Sequence, residues 1–135
     1  MRTVLIVEDD PSNMAVLCAI LAPRGYDILE ATTAQDAIGM CRRHLAPIHL
    51  VLCDCRLPDR SGPEAAAEAL GVHPEAVVLF ISGTPMGEWN NQDIEWLKQQ
   101  PQGSIDFLEK PFHVSDLERR IDLLLRYGAA SMFST

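Results

Sequence analysis

The chain has 135 residues, 47% of them apolar and 22% charged, enough for one domain with a full-sized core; this leaves no room for a second domain and excludes a disordered chain. Eleven basic against nineteen acidic side chains give a net charge of −8, which repels phosphate backbones and anionic membranes, so no direct nucleic-acid or membrane binding is expected of this domain. The longest apolar run, residues 14–22, falls far short of the roughly 18 to 20 residues that span a bilayer, and Glu8-Asp9-Asp10 cuts the first apolar run before it could be a signal-peptide core; a cytoplasmic location is expected.

Along the chain, short apolar runs alternate with helical patterns. Residues 4–7, 27–31, 49–53, 77–82 and 105–108 read as strands, and the continuous runs from 4, 50 and 77 suit strands buried on both faces of a parallel sheet. Residues 12–22 read as a helix halted by Pro23 and Gly25, and Thr33 can cap a second with Asp36 three places on. Pro63 suits the first turn of an Ala-rich helix reaching Leu70 before Gly71, and residues 91–100 read as a fourth helix stopped by Pro101 and Gly103. Residues 115–127 carry Leu117, Ile121, Leu124 and Leu125 on one face, with Gly128 at the end. Cys18, Cys41, Cys53 and Cys55 show neither C-x-x-C spacing nor a histidine at zinc-ligand distance, so reduced, mostly buried thiols are expected.

Five strand–helix units with right-handed crossovers predict an α/β fold, a doubly wound five-stranded parallel sheet of order 2-1-3-4-5 with ligands at the carboxyl ends of the strands. Glu8, Asp9 and Asp10, then Asp54, then Ser82-Gly83, then Lys110-Pro111 should therefore meet at one edge. Any one of these acids could be a solvated loop residue. Jointly, carboxylates about 4 Å apart repel by about 4 kcal/mol per pair at an effective dielectric near 20. A hard divalent cation reverses that cost, and Mg²⁺ suits a few carboxylates with water and phosphate oxygens. Such a set predicts phosphoryl transfer, with Asp54 as nucleophile, Lys110 stabilising developing charge and Ser82 donating to the phosphoryl group. Gly83 keeps that approach open, and Pro111 suits a cis bond that turns the chain to aim the lysine.

The motifs Val4-Leu5-Ile6-Val7-Glu8-Asp9-Asp10, Leu50-Val51-Leu52-Cys53-Asp54-Cys55-Arg56-Leu57-Pro58-Asp59-Arg60-Ser61-Gly62, Phe80-Ile81-Ser82-Gly83 and Asp106-Phe107-Leu108-Glu109-Lys110-Pro111-Phe112 resemble, in order and spacing, the receiver domain of two-component response regulators. The resemblance covers residues 2–126 and implies a flavodoxin-like (βα)5 fold, with a receiver domain at 1–128 and a short C-terminal tail at 129–135. It implies that Asp54 is the phosphoacceptor, served by a sensor histidine kinase or a histidine phosphotransfer protein. Glu8, Asp9, Asp54 and the backbone carbonyl of Arg56 would hold Mg²⁺, Ser82 and Phe107 would be the switch pair, and Lys110 the lysine of the family pattern. Movement of Ser82 toward the phosphoryl group would open space for Phe107 and repack the face of the fourth helix, fifth strand and fifth helix. That face would address a downstream effector domain or protein, or a second copy in a phosphorylation-dependent homodimer. Such a chain is a signalling switch and not a turnover enzyme.

Departures from the pattern qualify these expectations. The 21 residues from Gly83 to Gly103 make a long segment holding both tryptophans. Trp96 has core spacing with Ile94 and Leu97, whereas Trp89 is either loop packing or an exposed partner anchor. Arg56 points to water by default; if it reaches the site it alters the lifetime of an aspartyl phosphate, as would Thr84, which cannot position water as a carboxylate or amide does. Phe107 is equally readable as an ordinary core aromatic, Asp10 has no assigned role, and His44, His49, His73 and His113 are too scattered for a relay. Two other functions are readable: a receiver fold that is never phosphorylated, and an aspartate-nucleophile phosphatase, which Arg56 two places after Asp54 disfavours. A nucleotide-binding fold is disfavoured because the loop after the first strand is acidic and lacks phosphate-cradling glycines. Starting at Met1 suggests a natural N-terminus, and the short stretch after Gly128 suits either a single-domain regulator or one whose effector domain was removed.

Overall fold

The computed structural model describes residues 2–83 and 89–128. Its elements run β1 (Thr3–Val7), α1 (Pro11–Leu21), a 3-10 turn (Ala22–Arg24), β2 (Asp27–Ala31), α2 (Ala34–Arg43), β3 (Leu50–Asp54), α3 (Gly62–Val72), β4 (Val77–Ser82), α4 (Asn91–Lys98), β5 (Ile105–Glu109) and α5 (Val114–Leu123), whose helix continues as a π turn (Leu124–Gly128). The strands form one parallel sheet of order β2-β1-β3-β4-β5, as the pattern predicts.

The continuous apolar runs are the inner strands: β1 and β4 are buried at every residue and β3 at all but its last. Because side chains alternate along a strand, Val4 and Ile6 pack with Met14, Leu17, Leu117 and Ile121 of α1 and α5, while Leu5 and Val7 pack with Ala34, Ala37, Ala65 and Ala69 of α2 and α3. The small side chains on α2 and α3 let the two helices lie close together. Each large apolar side chain fully buried in these layers contributes about 1.5–3 kcal/mol.

The starts of α1, α2, α3 and α4 are defined by side-chain caps. Asp10 accepts the N–H of Ser12, Thr33 that of Asp36, Ser61 that of Glu64 and Asn90 that of Asp93. Thus Asp10 is a helix cap, and α1 begins one residue earlier than expected. The third helix runs through Gly71 to Val72, because a glycine in a helix costs only about 0.5–1 kcal/mol relative to alanine and need not end it. The fourth helix stops at Lys98, where the N–H of Gln99 turns back to Trp96 and Leu97. Gly103 there adopts a φ of 83°, a left-handed turn open to glycine. The fifth helix is α-helical only to Leu123; its last turn widens so that Gly128 seats against Gly103, where an added Cβ would come within 2.4 Å of the Gly103 carbonyl oxygen. All four cysteines are free, and three of them are buried.

Candidate functional site

The carboxyl ends of β1, β3, β4 and β5 lie side by side and bring the expected residues to one edge of the sheet. Glu8, just after β1, is only 2% exposed, whereas Asp9 beside it faces solvent. Glu8 accepts the Asp10 N–H at 3.2 Å and the Lys110 ammonium at 3.1 Å. Asp54 is the last residue of β3, one place further inside the strand than expected, and its Oδ2 lies 3.5 Å from Lys110 Nζ. One carboxylate oxygen each from Glu8, Asp9 and Asp54 falls within a mutual distance of 4.8 Å. Ser82 closes β4 and is buried, and Lys110 follows β5 ahead of a cis peptide bond to Pro111.

Backbone geometry under Asp54 fixes the carboxylate. Its Oδ1 accepts the N–H of Arg56 at 3.1 Å, and Arg56 pairs back with Ser61 as an isolated antiparallel bridge. This return brings Gly62 beneath the strand end, where its N–H donates to the Cys55 carbonyl at 2.8 Å. A Cβ on Gly62 would lie 2.1 Å from the Asp54 carbonyl oxygen, so only glycine fits. The Arg56 side chain is exposed and its backbone carbonyl belongs to this loop.

The electrostatics are those of an acidic cluster short of positive charge. Burial pushes the Glu8 carboxyl above its usual range, and the charge of Asp54 adds to that, against the opposing bonds from Asp10 and Lys110. For Lys110, burial alone would lower the ammonium's pKa. The hydrogen bond to Glu8 and the charges of Asp54 and Glu8 outweigh it, so the net direction is upward and the side chain stays cationic at neutral pH. Three carboxylates facing one ammonium are hard oxygen donors with charge to spare, a donor set that fits a small divalent cation.

Phe107, on β5, is half-buried and stacks on Phe80 with ring centroids 5.6 Å apart; Trp89 meets both rings edge-on at 5.3 Å. Trp89 is therefore packed inward and is not an exposed anchor, because Phe80 and Phe107 offer more apolar contact than water does. Trp96 is half-buried and reaches the same Phe80 ring at 6.4 Å. Thr84 lies outside the described residues, as does the tail at 129–135. His49 accepts the Thr3 N–H and His73 pairs with the Cys41 carbonyl, both as structural links away from the strand-end acids.

Two features escaped the sequence reading. Asp59, in the loop after β3, accepts the N–H groups of Ala34 and Gln35 at 2.9 Å and so caps α2 together with Thr33; those bonds hold its carboxyl below the usual range. Cys55 lines one small cavity with Ser82 and Trp89, and burial raises its thiol pKa to about 11. The first was hidden because the loop and the helix are joined only by the fold; the second because Trp89 lies far along the chain.

Comparison with known proteins gives the arrangement a family. The transcriptional regulatory protein AruR of Pseudomonas aeruginosa is 33% identical over 91% of this chain. The chain spans 49% of AruR, and 26% of the transcriptional regulatory protein ZraR of Salmonella typhimurium, which is 28% identical. The receiver domain of the sensor histidine kinase PA1611 of Pseudomonas aeruginosa PAO1, solved with a magnesium ion coordinated in its active-site cleft, superposes with a TM-score of 0.74 at 25% identity, covering 93% of this chain and 98% of that one. Residues 4–122 match the response regulator receiver domain, and with fold, order of motifs and relatives in agreement, the chain belongs to that family of two-component signalling modules.

Proposed function

We propose that the chain is a phosphorylation-dependent switch in which Asp54 accepts a phosphoryl group from the phosphohistidine of a sensor histidine kinase or a histidine phosphotransfer protein. The observation that carries this reading is the meeting of Glu8, Asp9 and Asp54 within 4.8 Å of one another, with the Lys110 ammonium 3.5 Å from Asp54. In the transfer, a carboxylate oxygen of Asp54 forms a bond to phosphorus as the phosphorus–nitrogen bond breaks, and the imidazole leaves with the bonding pair. Glu8, Asp9, Asp54 and the Arg56 carbonyl would hold Mg²⁺, which when bound neutralises charge on the phosphoryl oxygens. Lys110 holds its ammonium toward the same oxygens, and the Arg56 N–H fixes the orientation of the Asp54 carboxylate. Ser82 turns its hydroxyl to the transferred group.

An apolar groove of about 430 Å³ runs from Glu8 and Lys110 along Val16, Ile20, Phe112 and Val114. Val16 and Val114 are about half exposed, and because the groove is continuous with the site it is the footing for the partner that presents the phosphohistidine. Residues 1–128 act as the receiver unit, and the face of α4, β5 and α5 carries the output to an effector or to a second copy. Intact-protein mass after incubation with Mg²⁺ and acetyl phosphate tests the reading. A single phosphoryl adduct that needs Mg²⁺ and disappears in Asp54→Asn is expected; its absence from folded wild-type protein contradicts the proposal.

A further inference from the structure

A cavity of about 570 Å³ opens between α2, α3 and the loop that follows β3, with Arg42 and Arg43 of α2, Arg60 of the loop and Glu68 of α3 in its wall. Arg60 is already neutralised: its guanidinium pairs with Glu64 at 3.1 Å and with Glu68 at 2.8 Å. Arg42 and Arg43 are exposed and, among the described residues, make no side-chain hydrogen bond or ion pair; Arg42 reaches Glu68 only as a longer-range charge. Two further acids face the cavity. Asp59 has both carboxylate oxygens bonded to the N–H groups of Ala34 and Gln35, and Asp36 stands in the first turn of α2, whereas the two arginines stand in its last. Unpaired positive charge therefore gathers at the end of the cavity nearer the carboxyl end of α2.

Arginines in a last helical turn ordinarily serve the negative end of the helix dipole. Arg43 is not placed for that. A Cβ on Gly39 would lie 3.1 Å from one guanidinium nitrogen of Arg43 and 3.8 Å from its central carbon. The guanidinium thus lies back over Gly39, a turn before its own Cα, in the direction that helical side chains lean and away from the carbonyl groups that end α2. Glycine at 39 leaves room for it, and a larger side chain there would press it outward. Three guanidinium groups in one wall repel one another unless anions meet them, and within the chain only Arg60 is met.

We infer that this cavity is an interaction surface for a partner protein that presents a carboxylate-rich segment, with Arg42 and Arg43 as its anchors. Charge complementarity selects the partner. Guanidinium groups take carboxylates through paired N–H donors, and a segment with spaced carboxylates can meet Arg42 and Arg43 while its remainder stays clear of Asp36 and Asp59. A nucleic-acid backbone does not suit the place, because those two acids and the net charge of −8 oppose a continuous run of phosphates. The surface is also separate from the groove at Phe112 and Val114. The helices α2 and α3 cover one face of the sheet and α1 and α5 the other, so a partner held at Arg42 and Arg43 leaves the groove open.

The test is a fluorescence-anisotropy titration of the whole chain into a labelled oligoglutamate peptide at low salt without divalent cations, so that the peptide cannot be bridged to the strand-end acids by a metal. Saturable binding is expected, and the double variant Arg42→Gln with Arg43→Gln should weaken it by about tenfold, the range of two exposed ion pairs. Both residues are exposed, so the variant keeps its core. A second double variant, Arg2→Gln with Arg126→Gln, removes the same charge from exposed positions outside the cavity and should leave the affinity roughly unchanged. Amide resonances that move on binding should belong to α2 and to the loop at Asp59 and Arg60. Equal weakening in the two double variants reduces the binding to general charge attraction and overturns the inference, as do an affinity that Arg42→Gln with Arg43→Gln leaves intact, resonance shifts confined to other elements, and an absence of binding.

Discussion

Lys110 Nζ stands 3.5 Å from Asp54 Oδ2, joining the loop after β5 to the end of β3. The same ammonium lies 3.1 Å from Glu8, so one cation serves two carboxylates in the site. Lys110→Ala leaves the buried Glu8 without its cation, and the metal-free protein is expected to lose about 1–3 kcal/mol of stability. Mg²⁺ should recover much of that loss, because it occupies the same field. Urea unfolding of wild type and variant with and without Mg²⁺ measures this; an equal loss in both conditions contradicts it.

Asp59 gives a pH signature. Its carboxyl is held below the ordinary value of 3.8 first by the N–H of Ala34 and then by that of Gln35. A carboxylate with a lowered folded-state pKa contributes stability above its unfolded value and loses it as pH falls through the folded one. Wild type should therefore be more stable than Asp59→Asn at neutral pH, and the difference should close as pH falls below 3.8. Denaturation midpoints of the two proteins across the acid range decide the point; a difference independent of pH would exclude the charged cap.

Gly62 is a steric requirement. An added Cβ meets backbone at 2.1 Å from the Asp54 oxygen and 2.8 Å from the Cys55 Cα, and neither can yield as a flexible side chain would. Gly62→Ala should cost about 1–3 kcal/mol by displacing the loop under Asp54. It should also weaken Mg²⁺ binding, measurable by calorimetry. An unchanged unfolding midpoint contradicts the close approach.

Arg56 keeps its backbone N–H on Asp54 and is an exposed residue of the loop that follows it. A guanidinium near the phosphoryl oxygens stabilises the charge that spreads during hydrolysis, so Arg56→Met is expected to lengthen the life of the adduct by roughly two- to tenfold. Decay of the isolated phosphoprotein gives the rate, and an unchanged rate removes the side chain from the reaction.

The inner strands and the site were legible in the sequence for the same reason. The inner strands are buried on both faces, so their ends are marked where Glu8, Asp54 and Ser82 interrupt the apolar runs. Thr33 was legible as a cap because the bond it makes spans three residues. Asp59 was not, since it caps a helix that begins 25 residues earlier and only the sheet order brings the two together. The inward turn of Trp89 depends on Phe80 and Phe107, which lie on two strands, so its sequence neighbours left loop packing and an exposed anchor both open. The seating of Gly128 on Gly103 widened the end of α5 through a contact that periodicity does not register.

The central claim is that Asp54 carries the phosphoryl group. Borohydride reduction of the Mg²⁺-dependent adduct, which converts an acyl phosphate to the corresponding alcohol, followed by peptide sequencing in the mass spectrometer, locates the modified residue. The account predicts reduction at Asp54 alone, between Cys53 and Cys55. Modification at Glu8, Asp9 or any other side chain, or an adduct that persists in Asp54→Asn, would contradict it.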